Sequence, residues 1–185
     1  MSDFETLRTQ IPEAARDTKL NLQGVFEGGA LSPAQKHGVA IAVAAAARHA
    51  ALRDALVARA RAEVGEPVVE DALAAASLMA MNNVYYRFRH LSGKPSYSEK
   101  PARLRMNRIA KPATPRADFE LVCLAVSAVN GCETCIQAHE KAVLEGGLTE
   151  DHVHDAVRIA AVVHAAATAL DAASVPLPAH ASVQA

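Results

Sequence analysis

The sequence predicts a compact all-α fold on three observations. Apolar residues make up 51% of the 185-residue chain, yet aromatics only 4% with no Trp, so the core must come from closely approaching helices with small side chains. No stretch alternates apolar and polar residues as a half-buried strand does. Cap-and-proline pairs and glycine breaks recur at helical spacing.

Taken in order, Ser2 or Asp3 caps a short first helix, and Pro12 then opens a second that runs to about Phe26 before Gly28-Gly29. Ser32-Pro33 starts a third; 38–47 has almost no polar face and should be buried. The segment 48–64 reads as a charged amphipathic helix, closed by Gly65-Glu66-Pro67, and 68–90 as a long Ala/Met-rich one ending in Tyr85-Tyr86-Arg87. A loop with Gly93, Pro95 and Pro101 follows, then a short helix over 104–109. Thr114-Pro115 opens the helix that carries Glu120 and stops at Asn130-Gly131, both expected as left-handed terminators. The next helix spans 132–144 and ends at Gly146-Gly147. Thr149 caps the last, which reaches about Ala172 with Glu150, Asp151 and Asp155 near its positive end.

Residues 1–172 thus form one helical domain with its chemistry in 115–172, and 173–185 form a loose tail. An internal repeat is also suggested. A buried Ala-rich helix, a charged helix, a glycine break and a long apolar helix follow one another over 38–81 and again over 120–170, and Glu70-Asp71-Ala72-Leu73 resembles His154-Asp155-Ala156-Val157.

A net charge of −1 and a pI of about 6.7 leave no electrostatic footprint for nucleic acid or an anionic membrane. Met1-Ser2-Asp3-Phe4-Glu5 lacks the basic and apolar regions of a signal peptide, and charged residues or His interrupt every long apolar run. A cytoplasmic protein that spans no membrane is expected. In a reducing compartment three cysteines are too few for a disulfide framework, and a close pair points to metal or redox chemistry.

That pair is Cys132 and Cys135, with His139 four residues on. At 3.6 residues per turn all three project within roughly 60° of one another. A thiol opening a helix meets unpaired N–H groups and the positive dipole end, which favour thiolate at Cys132; His139 can exchange a proton with Cys135. A sulfenic acid on one thiol can be resolved by the other. Glu120 precedes ten uncharged residues, and is read either as a relay partner for His139 or as an exposed or N-terminal, dipole-stabilising glutamate.

The rival reading is a structural zinc-binding helical module, but with only His152, His154 and Glu140 on hand the fourth ligand is lacking. A purely structural pair is the third reading. Cys123, inside an apolar run, is expected to be an inert buried thiol. His37, His49, His90 and His180 are expected in solvent, and His164 in the core or an interface.

Further segments resemble a known family: Lys19-Leu20-Asn21-Leu22, Met79 through Asn82-Asn83 to Arg87, Leu104-Arg105-Met106-Asn107, Phe119-Glu120-Leu121, and the box from Ser127 to Glu140. Together they resemble the AhpD alkyl hydroperoxidases of the carboxymuconolactone decarboxylase-like superfamily, over most of the chain. The resemblance implies an all-helical enzyme, commonly a homotrimer, that reduces organic hydroperoxides with no bound cofactor. Its disulfide would be re-reduced through a lipoyl-bearing acyltransferase and dihydrolipoamide dehydrogenase, and it can serve as a dithiol adaptor for a peroxiredoxin. It implies that Cys135 attacks the peroxide, that Cys132 gives a proton and resolves the disulfide, and that Glu120 and His139 form the relay. Some relatives carry a histidine immediately before the second cysteine; here it is Thr134, whose hydroxyl can hydrogen-bond but does not titrate near neutrality.

Overall fold

A computed structural model describes residues 3–173. Among these the chain forms ten α-helices and no strand: α1 (Asp3–Thr9), α2 (Arg16–Gly24), α3 (Pro33–Ala46), α4 (Ala50–Glu63), α5 (Glu66–Ser92), α6 (Pro95–Ser98), α7 (Asn107–Ala110), α8 (Arg116–Val129), α9 (Glu133–Glu145) and α10 (Glu150–Ala173). The expected second helix is divided, because Ala15 leaves helical geometry between a 3₁₀ turn at Glu13–Ala15 and α2. The Ser2 cap and the tail beyond Ala173 lie outside the described residues.

Helices α3 and α8 are the centre of the molecule. Every residue from Gly38 to Ala44 and from Phe119 to Ser127 is buried, so both helices are enclosed on all sides, as their apolar runs require. They pack on each other and against α5 and α10. Small residues permit the close approach: a Cβ on Gly38 would stand 3.1 Å from Val122 Cγ2. By length and composition α10 could cross a membrane, yet its Ala156, Ile159, Ala160, Val163, Ala166 and Ala167 are buried in this core. A full capping box starts α3: the Ser32 hydroxyl accepts from Gln35 N–H, and the Gln35 carboxamide accepts from Ser32 N–H.

The helix order of 33–92 recurs over 116–173: a buried helix, a second helix and a long helix follow one another as α3, α4 and α5 and again as α8, α9 and α10. Each long helix bonds through an aspartate to the segment before the other half's buried helix. Asp71 of α5 accepts from Thr114 N–H (2.7 Å) and Thr114 Oγ1 (2.8 Å), just before α8. Asp155 of α10 accepts from Ala30 N–H at 2.8 Å, just before α3. Each long helix therefore holds the entry to the other half's buried helix. The fifth residue of α3 is His37 and that of α8 is Glu120, and each makes a His–carboxylate pair with the next helix of its own half, to Glu63 (2.7 Å) and His139 (2.6 Å). Where α9 has Cys135 and His139, the matching positions of α4 are Leu52 and Leu56, both buried in the core.

Several histidines depart from expectation. His37 is buried against Glu63 and stacked near Phe26, because it occupies that paired position rather than the surface. His49 caps α4 by accepting from Leu52 N–H at 3.0 Å. His164 is exposed on α10, so it is not a core residue. At the start of α10 the Thr149 hydroxyl meets the His152 ring at 2.8 Å rather than a backbone N–H.

Candidate active site

The turn that delivers the cysteines is pinned by α5. Gly131 adopts φ +63° and ends α8 in the left-handed region, whereas Asn130 remains right-handed, contrary to its expected role as a second terminator. Asn130 holds the turn by other means. Its carboxamide donates to Asn83 Oδ1 (2.8 Å), and its carbonyl accepts from the Arg87 guanidinium. Asn83 in turn donates to Ser127 Oγ at 2.9 Å. These bonds tie the exit of α8 to the buried side of α5.

Cys132 follows as the N-cap of α9, its carbonyl accepting from Cys135 and Ile136 N–H. Cys132 and Cys135 are joined in a disulfide, one helical turn apart. Their surroundings differ: Cys132 is completely buried, while Cys135 keeps 6% of its surface and lines a cavity of about 180 Å³ with Asn82, Tyr86, Thr134, Ala138 and His139. Thr134, the departure from some relatives, places its hydroxyl 3.7 Å from Cys132 Sγ.

Glu120 is buried at 5% exposure, which excludes the exposed reading, and His139 Nδ1 lies 2.6 Å from its Oε2. With a carboxylate on that side the ring donates through Nδ1–H and keeps Nε2 as its second site. The other carboxylate oxygen is 3.7 Å from Arg116, whose side chain is in solvent. The four residues named from the sequence thus fall into two linked pairs, Cys132 with Cys135 and Glu120 with His139, and Cys135 and His139 line one cavity.

Cys123 stands apart, fully buried on α8. Burial raises its thiol well above the ordinary value, and the charges of Glu120 and Asp71 raise it further. Among the described residues no three His, Cys, Asp or Glu side chains are grouped to hold a metal ion. A larger cavity, about 460 Å³, lies between the end of α3 and α5 and touches neither paired thiol.

Asn82 and Tyr86 were not read from the sequence as site residues. Tyr86 looked like part of a packed helix end, and the only available signal for Asn82 was a pair of adjacent amides inside an apolar helix.

A helical domain with a buried carboxylate–imidazole pair behind a Cys-x-x-Cys disulfide matches a defined class of protein: residues 95–176 fit the carboxymuconolactone decarboxylase family. Relatives narrow the class. The chain is 67% identical over 173 residues to the alkyl hydroperoxide reductase AhpD of Anaeromyxobacter dehalogenans, covering 94% of this chain and 93% of that one. It is 48% identical to the AhpD of Bradyrhizobium sp. (95% of this chain, 97% of that one) and 49% identical to that of Rhodospirillum centenum (91% of each). The chain belongs to the AhpD family.

Proposed function

We propose that this protein is a cytoplasmic alkyl hydroperoxide reductase that cycles between the Cys132, Cys135 dithiol and their disulfide. Its relatives' name supports the activity. The observation that carries the roles is the asymmetry of the pair: Cys135 opens on the cavity that His139 also lines, and Cys132 is sealed behind it.

In the reduced enzyme, His139, oriented by Glu120, takes the Cys135 thiol proton. The thiolate attacks the terminal oxygen of R–O–O–H; an S–O bond forms, the O–O bond breaks, and the leaving alkoxide takes the proton from His139 to become the alcohol. Cys132 then attacks the Cys135 sulfenic acid, and its proton leaves with the hydroxide as water. The sum is dithiol plus ROOH giving disulfide, ROH and water, with no metal or bound cofactor drawn on. A lipoyl group on a partner acyltransferase, kept reduced by dihydrolipoamide dehydrogenase, returns the two electrons by thiol–disulfide exchange, entering at the accessible Cys135 sulfur. The assembly is a homotrimer, and Leu73, Val84, Phe88 and Leu91, exposed along α5, offer an apolar surface for subunit contact.

Reduced protein treated with cumene hydroperoxide should lose two thiols, with Cys123 retained. Retention of both box thiols would overturn the proposal. Turnover that appears only when a peroxiredoxin is added would replace it with the dithiol-adaptor reading, and stoichiometric zinc in the purified protein with the structural zinc-binding module.

A further inference from the structure

We propose that Asn82 is a peroxide-binding residue whose side-chain amide holds both oxygens of the hydroperoxide in the cavity beside Cys135. The proposal rests on the reductase reading above and adds a group to it.

Two adjacent asparagines of α5 have different fates. Asn83 is fully engaged, donating to Ser127 Oγ and accepting from Asn130 Nδ2, and its role is to hold the α8–α9 turn. Asn82 is nearly as buried, at 5% exposure, yet its Oδ1 is enclosed without a hydrogen-bond partner. Buried polar side-chain atoms are seldom left so. The one other such atom among the described side chains, His37 Nδ1, belongs to a ring already bonded through Nε2 to Glu63. Asn82 instead lines the cavity that holds Cys135 and His139.

The missing partner has a definite chemistry. A primary amide offers an acceptor and two donors from one planar group. A hydroperoxide offers one donor, its terminal O–H, and an adjacent oxygen that gains negative charge as the O–O bond breaks. Accepting from the O–H presents the terminal oxygen to Cys135 Sγ, and the amide N–H donates to the developing alkoxide until the proton from His139 arrives. The second bond strengthens in the transition state, which is where a binding group accelerates a reaction. Thr134, Ala138 and Tyr86 complete the wall; the Thr134 and Tyr86 hydroxyls donate and accept at a single oxygen, whereas the Asn82 amide carries its acceptor and its donors on two separate atoms of one plane.

The test compares reduced wild type with Asn82→Leu and Asn82→Ser in two reactions of the same thiol. One oxidant is cumene hydroperoxide; the other is 2,2′-dipyridyl disulfide, which has no O–H to hold and no alkoxide to stabilise. Both variants should react with the peroxide about tenfold more slowly or worse, while exchange with the disulfide stays within about twofold of wild type. A folded variant that reacts with peroxide at the wild-type rate overturns the proposal. So does a parallel fall in both reactions, which would mean that Asn82 acts on the thiol or the fold. Wild-type thiols that ignore the peroxide would overturn the reductase reading itself, and this one with it.

Discussion

His139 Nδ1 and Glu120 Oε2 lie 2.6 Å apart with both side chains largely shut off from solvent. In the proposed reaction this contact orients the ring, with Nδ1–H donating to the carboxylate and Nε2 left for the Cys135 proton. Glu120→Ala removes that control. Peroxide-driven thiol loss should slow by about a hundredfold, the scale of general acid–base assistance, in stopped-flow measurements on reduced protein. Stability should fall by roughly 1–3 kcal/mol in urea unfolding, because a buried imidazole N–H is left without its acceptor.

Cys123 supplies the control. Burial, reinforced by the charges of Glu120 and Asp71, holds its thiol protonated, so in native reduced protein at neutral pH Cys135, which opens on the cavity, should be alkylated first, and Cys123 only after unfolding. Cys123→Ser should leave peroxide consumption unchanged and cost about 1–2 kcal/mol, since a hydroxyl replaces a thiol in an apolar site. Iodoacetamide labelling followed by peptide mass mapping checks both points. Cys135→Ser, in contrast, should abolish peroxide consumption.

Acid should loosen the molecule at Asp71. Burial alone would raise its carboxyl, but hydrogen bonds from the Thr114 hydroxyl and N–H, the Ala113 N–H and Arg108 outweigh it and hold the group below its usual value of 3.8. A folded value below the unfolded one gives stability that is fully present above the unfolded value and is lost as pH falls through the folded one. The acid limb of the Tm profile should therefore drop below about pH 4. Asp71→Asn should flatten that limb and lower the Tm at neutral pH, corresponding to about 3 kcal/mol, because Arg108 and the Thr114 N–H lose a charged acceptor.

What the sequence made legible follows from the range of each signal. Helix starts such as Ser32-Pro33 and breaks such as Gly131 are local steric facts, so the helical order was readable from short windows. The shared face of Cys135 and His139 was readable for the same reason, being a consequence of helical pitch, whereas Cys132 precedes the helix as its extended N-cap. Glu120 could be singled out, but its partner depends on how α9 folds back on α8, which no window contains. His37 was misplaced in solvent because the carboxylate that justifies its burial, Glu63, lies on the following helix. Asn82 stayed hidden because the adjacent Asn83 has the same local pattern, and only the α5–α8 contact decides which of the two amides is engaged.

The exchanged aspartates give a test of how the two halves are joined. Asp155 packs so closely on the loop before α3 that a Cβ on Gly29, which has φ +81°, would stand 2.5 Å from Asp155 Oδ2. Gly29→Ala therefore meets two penalties, a left-handed backbone and a collision with the carboxylate that accepts from Ala30 N–H. It should cost about 2–3 kcal/mol in urea unfolding. Asp155→Ala clears the collision but releases the Ala30 N–H and Arg158, at about 1–2 kcal/mol. In the double variant the collision is gone and only one loop anchor remains to be lost. Its cost should fall short of the sum of the singles by about 1 kcal/mol, a coupling that a double-mutant cycle resolves. Strict additivity would show that Asp155 and the 28–30 loop are energetically independent. Peroxide-driven thiol loss should be unaffected in all three variants, because neither residue borders the cavity at Cys135.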